Sequence, residues 1–235
     1  MRTSILVSGV LLLGVLGGAA GYAAGVYETS ALPQSFGAAA PLGASTSPTE
    51  RPPVKAAEPS NVPAFTTDGL TFRQFTFTVQ PDGERAVHLS IRAPRGWQLT
   101  KSPQSPAEVK FLDPRKERGV RVESRFTPDL TTAQSRDQLL VNLQKSQPPE
   151  NDLRILSQTD EQVEADGRSR AVSTLIYTYI PNKTRRYVIV RWIATGGDDG
   201  DDTATVEMSV TGLPQDATGL ASVLAEATRT VRQVS

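Results

Sequence analysis

The chain has 235 residues, with 25 Lys and Arg against 25 Asp and Glu, so its formal net charge is zero. A nucleic-acid-binding protein needs surplus positive charge to displace counterions from phosphates, so we expect no nucleic acid partner. The sequence contains no Cys and a single His, His88. Disulfides, thiolate nucleophiles and Cys-ligated metals are therefore excluded, and we expect no cofactor and no bound metal.

Residues 1–27 are predicted to form a transmembrane anchor or a signal segment. No charged side chain occurs from Thr3 to Tyr27, a stretch of 25 residues. At about 1.5 Å per residue, a helix of this length crosses a hydrocarbon core of about 30 Å. Arg2 favours a cytoplasmic N-terminus, which leaves the rest of the chain outside the cytoplasm. A cleaved signal peptide stays open, because the strongly apolar residues 5–16 are few and small residues follow them.

Three glycines within this segment are candidate contact residues between transmembrane helices. Gly17, Gly21 and Gly25 are spaced four apart, so they share one face of a helix. Glycine on a helix face lets a second helix approach closely. The alternative is that glycine and alanine are simply common in such segments.

Residues 28–64 are predicted to be a disordered linker rich in Pro, Ala and Ser. They contain seven prolines, and their few large apolar residues show no period. A segment of this kind cannot bury enough apolar surface to offset the entropy of ordering it. We expect a flexible spacer that holds the following domain away from the membrane.

Residues 65–235 are predicted to form one α+β domain. Apolar and polar residues alternate with the period of a half-buried strand, and Asp166-Gly167 marks a hairpin turn. The predicted strands are 72–79, 87–93, 109–112, 120–123, 153–165, 168–180, 185–195 and 203–211. Two helices are predicted, one over Thr131–Gln147 and one that starts at Pro214. This order predicts an antiparallel β-sheet covered by helices.

The same order of elements resembles the PsbP-like fold. The residues that carry the resemblance include Arg92–Trp97, Phe111–Pro114, Tyr177–Tyr179, Trp192 and the closing helix. The family includes the PsbP protein of photosystem II and actinobacterial LpqN-type envelope lipoproteins. The resemblance implies a binding or assembly domain without catalytic residues, often on the outer face of a membrane. The lipoproteins carry their lipid on a Cys, which this chain lacks, so an uncleaved helix would replace that anchor.

Two acidic groups are candidates for chemistry, and both have a simpler interpretation. Asp198, Asp199, Asp201 and Asp202 lie around one glycine, where a Ca²⁺ ion would find oxygen ligands, but the spacing is not that of an EF-hand. Asp160, Glu161, Glu164 and Asp166 lie on or beside one strand of a hairpin, where a pair of carboxylates could act as acid and base in a glycosidase. We interpret the first group as a soluble loop tip and the second as ionised surface residues.

The remaining candidates are ordinary structural residues on the same reasoning. His88 alternates with apolar neighbours and is expected to face solvent, while Trp97 and Trp192 are expected to pack in or beside the core. No serine-nucleophile motif and no phosphate-binding glycine loop occurs. We therefore predict a non-catalytic binding or assembly domain of a bacterial cell envelope, anchored in the membrane. Its expected partner is an envelope protein, glycan or lipid. A hydrolase that uses a carboxylate pair and a helix-dimerising assembly factor are the alternatives.

Overall fold

The computed structural model describes residues 53–81, 85–124, 129–196 and 201–234. The predicted transmembrane segment, with Gly17, Gly21 and Gly25, lies outside the described residues, as does the linker before residue 53. Within the described ranges, no helix is both long enough and apolar enough to span a bilayer.

The described residues form an α+β domain of two antiparallel sheets and two α-helices. The strands are β1 (Phe72–Val79), β2 (Val87–Pro94), β3 (Gln98–Ser102), β4 (Ser105–Leu112), β5 (Gly119–Ser124), β6 (Arg154–Ala165), β7 (Arg168–Tyr179), β8 (Arg186–Ile193), β9 (Val206–Gly212) and β10 (Arg232–Gln233). The helices are α1 (Thr132–Ser146) and α2 (Ala217–Thr230), and short 3-10 turns cover Pro149–Asn151 and Pro214–Asp216.

The strands divide into a small sheet in the order β1-β2-β10 and a large sheet in the order β3-β4-β5-β9-β8-β7-β6. This differs from the single sheet expected from the sequence. Gly96 has a φ of +84°, a conformation that suits glycine, and it lies in the turn between β2 and β3. Beyond that turn β3 pairs with β4, while β10 pairs with the free edge of β2.

The larger core lies between one face of the large sheet and a layer that consists of the small sheet and α2. Phe77, Leu89 and Ile91 from the small sheet and Leu220 and Leu224 from α2 are buried there. They pack with the inward residues of the large sheet, which include Phe111, Val120, Val122, Met208 and Val210.

Helix α1 covers part of the opposite face of the large sheet. Thr131 begins the helix with a capping box, because its hydroxyl accepts from the Gln134 amide and the Gln134 side chain accepts from the Thr131 amide. Leu139 and Leu143 point toward the sheet and pack on Val190 and Trp192 of β8. The helix therefore sits over β7 and β8 and leaves the β4, β5 and β9 part of this face to other residues.

Residues 53–65, most of which fall in the predicted linker, lie along the domain. The Lys55 amide donates to the Glu150 carbonyl and the Glu58 amide donates to the Lys183 carbonyl, each over 2.8 Å. We call residues 53–65 the docked segment. Its end lies so close to α2 that a Cβ atom at Gly219 would overlap the carbonyl group and ring of Phe65.

Candidate functional site

A group of buried charged side chains lies on the α1 face of the large sheet, over β4, β5 and β9. We call Arg121 and the three glutamates around it, Glu108, Glu123 and Glu207, the Arg121 cluster. The antiparallel register places Glu123 opposite both Glu108 and Glu207, so the three carboxylates form one row across three strands. Their neighbours along each strand point into the core on the other face.

The guanidinium group of Arg121 uses a different nitrogen for each carboxylate. Nε contacts Glu108, Nη2 contacts Glu123, and Nη1 donates to Glu207 over 2.7 Å. The four side chains are between 9% and 14% exposed. Lys110 adds a second positive charge, with its Nζ 2.8 Å from Glu108.

The carboxyl groups of the cluster differ in acidity because their surroundings differ. Burial, together with the charges of Glu207 and Glu108, outweighs the opposing effect of Arg121 and raises the pKa of Glu123 to about 7. Burial also acts on Glu108, but the charges of Arg121 and Lys110 outweigh it and lower the pKa of that carboxyl. Neighbouring carboxyl groups with separated pKa values are the usual arrangement for acid–base chemistry.

The geometry of the Arg121 cluster is also that of a structural ion network. All three carboxylates are tied to one guanidinium group, which occupies the space between them. Ser209 pairs with Arg121 in the sheet register, and its hydroxyl is buried without a hydrogen-bond partner in the described part of the chain. Perturbed pKa values arise in structural networks as well as in active sites.

The acidic hairpin residues that the sequence singled out are not part of this cluster. Asp160 is bonded to Arg136 and Ser173, and these hydrogen bonds lower its pKa. The Asp160, Glu161 and Asp166 side chains are 56%, 44% and 44% exposed and pair with arginines. The structure therefore separates these carboxylates from the buried ones, which sequence reasoning missed.

The other predicted residues take structural positions. His88 is exposed on β2, with Nδ1 3.0 Å from the Thr78 hydroxyl. Trp97 and Trp192 are 4% and 2% exposed and belong to the two cores. Asp198 and Asp199 lie outside the described residues, and the Asp201 side chain accepts from the Thr203 amide. In the part of the chain that the structure describes, no group of acidic or histidine residues could hold a metal ion.

A cavity of about 370 Å³ lies where the docked segment meets the domain, and we call it the junction cavity. One side consists of residues 63–66 and 68–71, and the other consists of Pro94, Arg95 and Trp97, with Arg115 and Arg118 completing the lining. The Phe65 and Trp97 rings pack with their centroids 5.8 Å apart. The end of the predicted linker is thus part of the wall of a cavity.

Arg118 holds this junction together from a buried position, with its side chain 7% exposed. Its Nη1 lies 3.4 Å from Asp113, and its Nη2 donates to Asp216 over 2.8 Å and to the Pro63 carbonyl. Asp216 also accepts from the Phe65 amide over 2.8 Å. The Nε–H of Arg118 is buried and has no hydrogen-bond partner among the residues that the structure describes.

The other two arginines of the junction cavity differ from Arg118 in having no acidic partner. Within the described ranges, the side chains of Arg95 and Arg115 are exposed and make neither an ion pair nor a hydrogen bond. Asp68 is the single carboxylate among the lining residues. The cavity therefore presents cationic donors that remain available to a ligand.

A second cavity, of about 280 Å³, lies between β2, the end of α2 and the turn of the β6–β7 hairpin. It also contains three arginines, but their charges are balanced. Arg92 and Arg229 each lie 2.5 Å from Glu226, and Arg232 lies 3.9 Å from Asp166. This cavity therefore offers a ligand fewer uncommitted charges than the junction cavity does.

No protein-family model and no curated protein matches the chain. Among solved structures, it is similar to cyanobacterial PsbP (CyanoP) from Synechocystis sp. PCC 6803, with 11% identity, a TM-score of 0.43 and coverage of 76% of this chain and 98% of that one. It is also similar to PA94 from Pseudomonas aeruginosa, a protein of unknown function titled a putative regulator. That match has 15% identity, a TM-score of 0.37 and coverage of 66% and 94%. The predicted resemblance is confirmed as a similarity of structure at low sequence identity.

Proposed function

We propose that this protein is a membrane-tethered binding or assembly domain that acts outside the cytoplasm without catalysis. Its partner is a protein, glycan or lipid of the cell envelope. The observation that carries the proposal is the junction cavity, in which Arg95 and Arg115 stand without an acidic partner among the described residues.

The size and lining of the junction cavity support a binding role. Its volume of about 370 Å³ falls within the range of about 300–1,000 Å³ that is usual for ligand sites. Apolar groups, which include the Phe65 and Trp97 rings, lie beside a few polar donors, a combination typical of specific binding sites. The cavity adjoins the docked segment, so a bound partner would be held where the tether enters the domain.

The Arg121 cluster supports binding over hydrolysis. An inverting glycosidase needs room for a water molecule between its two carboxyl groups, and a retaining one needs a carboxylate free to attack the sugar. Here each of the three glutamates contacts the guanidinium group of Arg121. We interpret the cluster as part of the scaffold.

Site-specific photocrosslinking in cells tests the proposal. A photoreactive residue replaces Thr71, which is exposed in the junction cavity, in the full chain. The matched control places it at Gln144, on the exposed side of α1. We expect an envelope component to be crosslinked from position 71 alone, and to be lost in the Arg95→Gln/Arg115→Gln variant. Identical products from both positions, or products from cytosolic components only, would contradict the proposal.

A hydrolase is the second candidate, because burial raises the pKa of Glu123 to about 7. A buried carboxyl with a near-neutral pKa is suited to act as a general acid. Incubation of the full chain with envelope glycan fragments distinguishes the two candidates. Product release that is abolished in Glu123→Gln and kept in Glu164→Gln, an exposed carboxylate control, would favour the hydrolase.

A further inference from the structure

We propose that the junction cavity binds an oxyanion, a phosphate or carboxylate group, through Arg95, Arg115 and Arg118. This inference rests on the proposed function, because it names the ligand class of the same cavity. Three features bear on it: the charge of the cavity, a buried donor without an acceptor beside it, and the way the docked segment forms its wall.

The charge of the lining favours an anion. Three arginines face one acidic residue, Asp68, among the residues that line the cavity. Asp113 and Asp216 pair with Arg118, while Arg95 and Arg115 have no ion pair within the described part of the chain. A guanidinium group matches the geometry of carboxylate and phosphate oxygens and can donate two parallel hydrogen bonds to them.

The second feature is the Nε–H of Arg118. Its side chain is 7% exposed and lines the cavity, and this nitrogen alone among the three of its guanidinium group lacks an acceptor. A buried donor without an acceptor is uncommon in folded proteins, because its lost hydration is not replaced. The nitrogen itself has almost no accessible surface, so an oxyanion bound in the cavity reaches it only through a shift of the Arg118 side chain.

The third feature links binding to the docked segment. Pro63, Phe65 and Thr66 belong to the cavity wall. Pro63 is held by Arg118, and Phe65 is held by Asp216, which is itself paired with Arg118. Because an anion stabilises only the state in which the wall is formed, its binding is linked thermodynamically to docking of the segment.

The experiment uses the full chain in neutral phosphatidylcholine nanodiscs and follows amide hydrogen exchange in residues 63–71. Inorganic phosphate and acetate are the soluble probes, and nanodiscs that contain phosphatidylglycerol present the phosphate as a lipid headgroup. We expect slower exchange with at least one of these probes. Protection by soluble phosphate or acetate identifies a free anion as the source, and protection by the anionic lipid alone identifies a headgroup.

The arginines are tested by a double variant with a matched control. In Arg95→Gln/Arg115→Gln, we expect the probe concentration needed for half protection to rise about tenfold or more, as for the loss of charge-assisted hydrogen bonds. Arg85→Gln/Arg168→Gln removes two exposed arginines that lack an ion pair and lie outside the cavity. We expect this control to behave as the unmodified chain does.

Two results would overturn the inference. One is that none of the three probes changes exchange in residues 63–71, and the other is that both double variants lose protection equally, which is the signature of general electrostatic attraction. The proposed function can survive this failure, because a cavity that binds an uncharged envelope component would still give a crosslink at position 71 that depends on Arg95 and Arg115. The proposed function itself fails when position 71 yields no envelope component that position 144 lacks, whatever the effect of phosphate, acetate and anionic lipid.

Discussion

Arg118 and Arg121 are three positions apart in the chain, both side chains have little exposed surface, and they have different roles. Arg121 lies within β5 and uses all three nitrogens on glutamates of its own sheet. Arg118 lies just before β5 and joins two aspartates to the docked segment, while its Nε–H has no acceptor among the described residues. The guanidinium group of Arg121 is fully used within its sheet, whereas that of Arg118 keeps one donor unused beside a cavity.

The largest expected effect is on the saturated arginine. Arg121→Met leaves three buried carboxylates without their shared counter-charge, and we expect a loss of about 3–5 kcal/mol in the free energy of unfolding. Urea unfolding at neutral pH measures it, and the loss should shrink toward acidic pH as the carboxyl groups become protonated.

Arg154→Met is the control for this prediction, because Arg154 is 61% exposed and Asp152 keeps Arg185 as a partner. We expect it to cost less than about 1 kcal/mol. An equal loss in the two variants would show that the Arg121 cluster is no more important to stability than a surface pair.

The next effect concerns the segment that Arg118 holds. In Gly219→Ala the new methyl group overlaps the Phe65 carbonyl, and we expect a loss of about 1–3 kcal/mol from the forced shift. Helix propensity alone favours alanine over glycine by about 1 kcal/mol. A net loss in the free energy of unfolding would therefore come from the overlap with Phe65. Hydrogen exchange in residues 53–66 should accelerate.

Thr218→Ala changes the adjacent, exposed position of α2 and is the matched control. We expect it to alter stability by no more than about 0.5 kcal/mol. A stabilised Gly219→Ala chain with unchanged exchange in residues 53–66 would mean that the close approach of the docked segment to α2 does not occur.

A smaller effect concerns the pH dependence of the Arg121 cluster. The pKa of Glu123 rises from an ordinary value of 4.5 to about 7 on folding. The folded state therefore binds more protons than the unfolded state between these values, and the contribution of Glu123 to stability falls as the pH rises from 4.5 to 7. In Glu123→Gln this contribution disappears. We expect the free energy of unfolding of this variant, relative to that of the unmodified chain, to rise by about 2–3 kcal/mol between pH 5 and pH 8.

Unfolding midpoints in urea, measured from pH 5 to about pH 8, check this sign. Glu164→Gln, at an exposed position, should leave the pH profile of the unmodified chain unchanged. If the stability of Glu123→Gln varied with pH in parallel with that of the unmodified chain, the proton taken up on folding would belong to a group other than Glu123.

The smallest expected effect completes the comparison. The side chains of Arg95 and Arg115 make no hydrogen bond or ion pair within the described ranges, so Arg95→Gln/Arg115→Gln should change the free energy of unfolding by about 0.5 kcal/mol or less. Thermal unfolding measures it. A loss of several kcal/mol would show that these arginines belong to the scaffold, as Arg121 does.

The alternation of apolar and polar residues predicts those strands in which the pattern runs along the whole strand. Val87, Leu89 and Ile91 point inward from β2 as expected, and Asp166 and Gly167 both take positive φ in the predicted hairpin turn. Strand β3 (Gln98–Ser102) was missed, because it is a mostly polar edge strand with one neighbour. Strand β10 has two residues and depends on the edge of β2.

The candidate sites were harder to predict, because they depend on residues far apart in sequence. Arg121 and Glu123 alternate with buried valines, as solvent-facing residues also do, and only the register with β4 and β9 explains why their side chains are just 11% and 14% exposed. The docked segment has the composition of a disordered linker. Its backbone donates hydrogen bonds to residues far away in the sequence, such as Glu150 and Asp216, and composition does not reveal these long-range partners.

The docked segment also sets where a mechanical load would enter the domain. Tension that reaches the chain from its N-terminal side meets Lys55 and Glu58 first, then Pro63 and Phe65, and only afterwards β1. These contacts would yield in sequence while the sheets stayed intact. Tension on the docked segment would thus open the wall of the junction cavity beside Trp97 before it disturbed the sheets. An oxyanion bound there, as proposed, would be released by force rather than by unfolding.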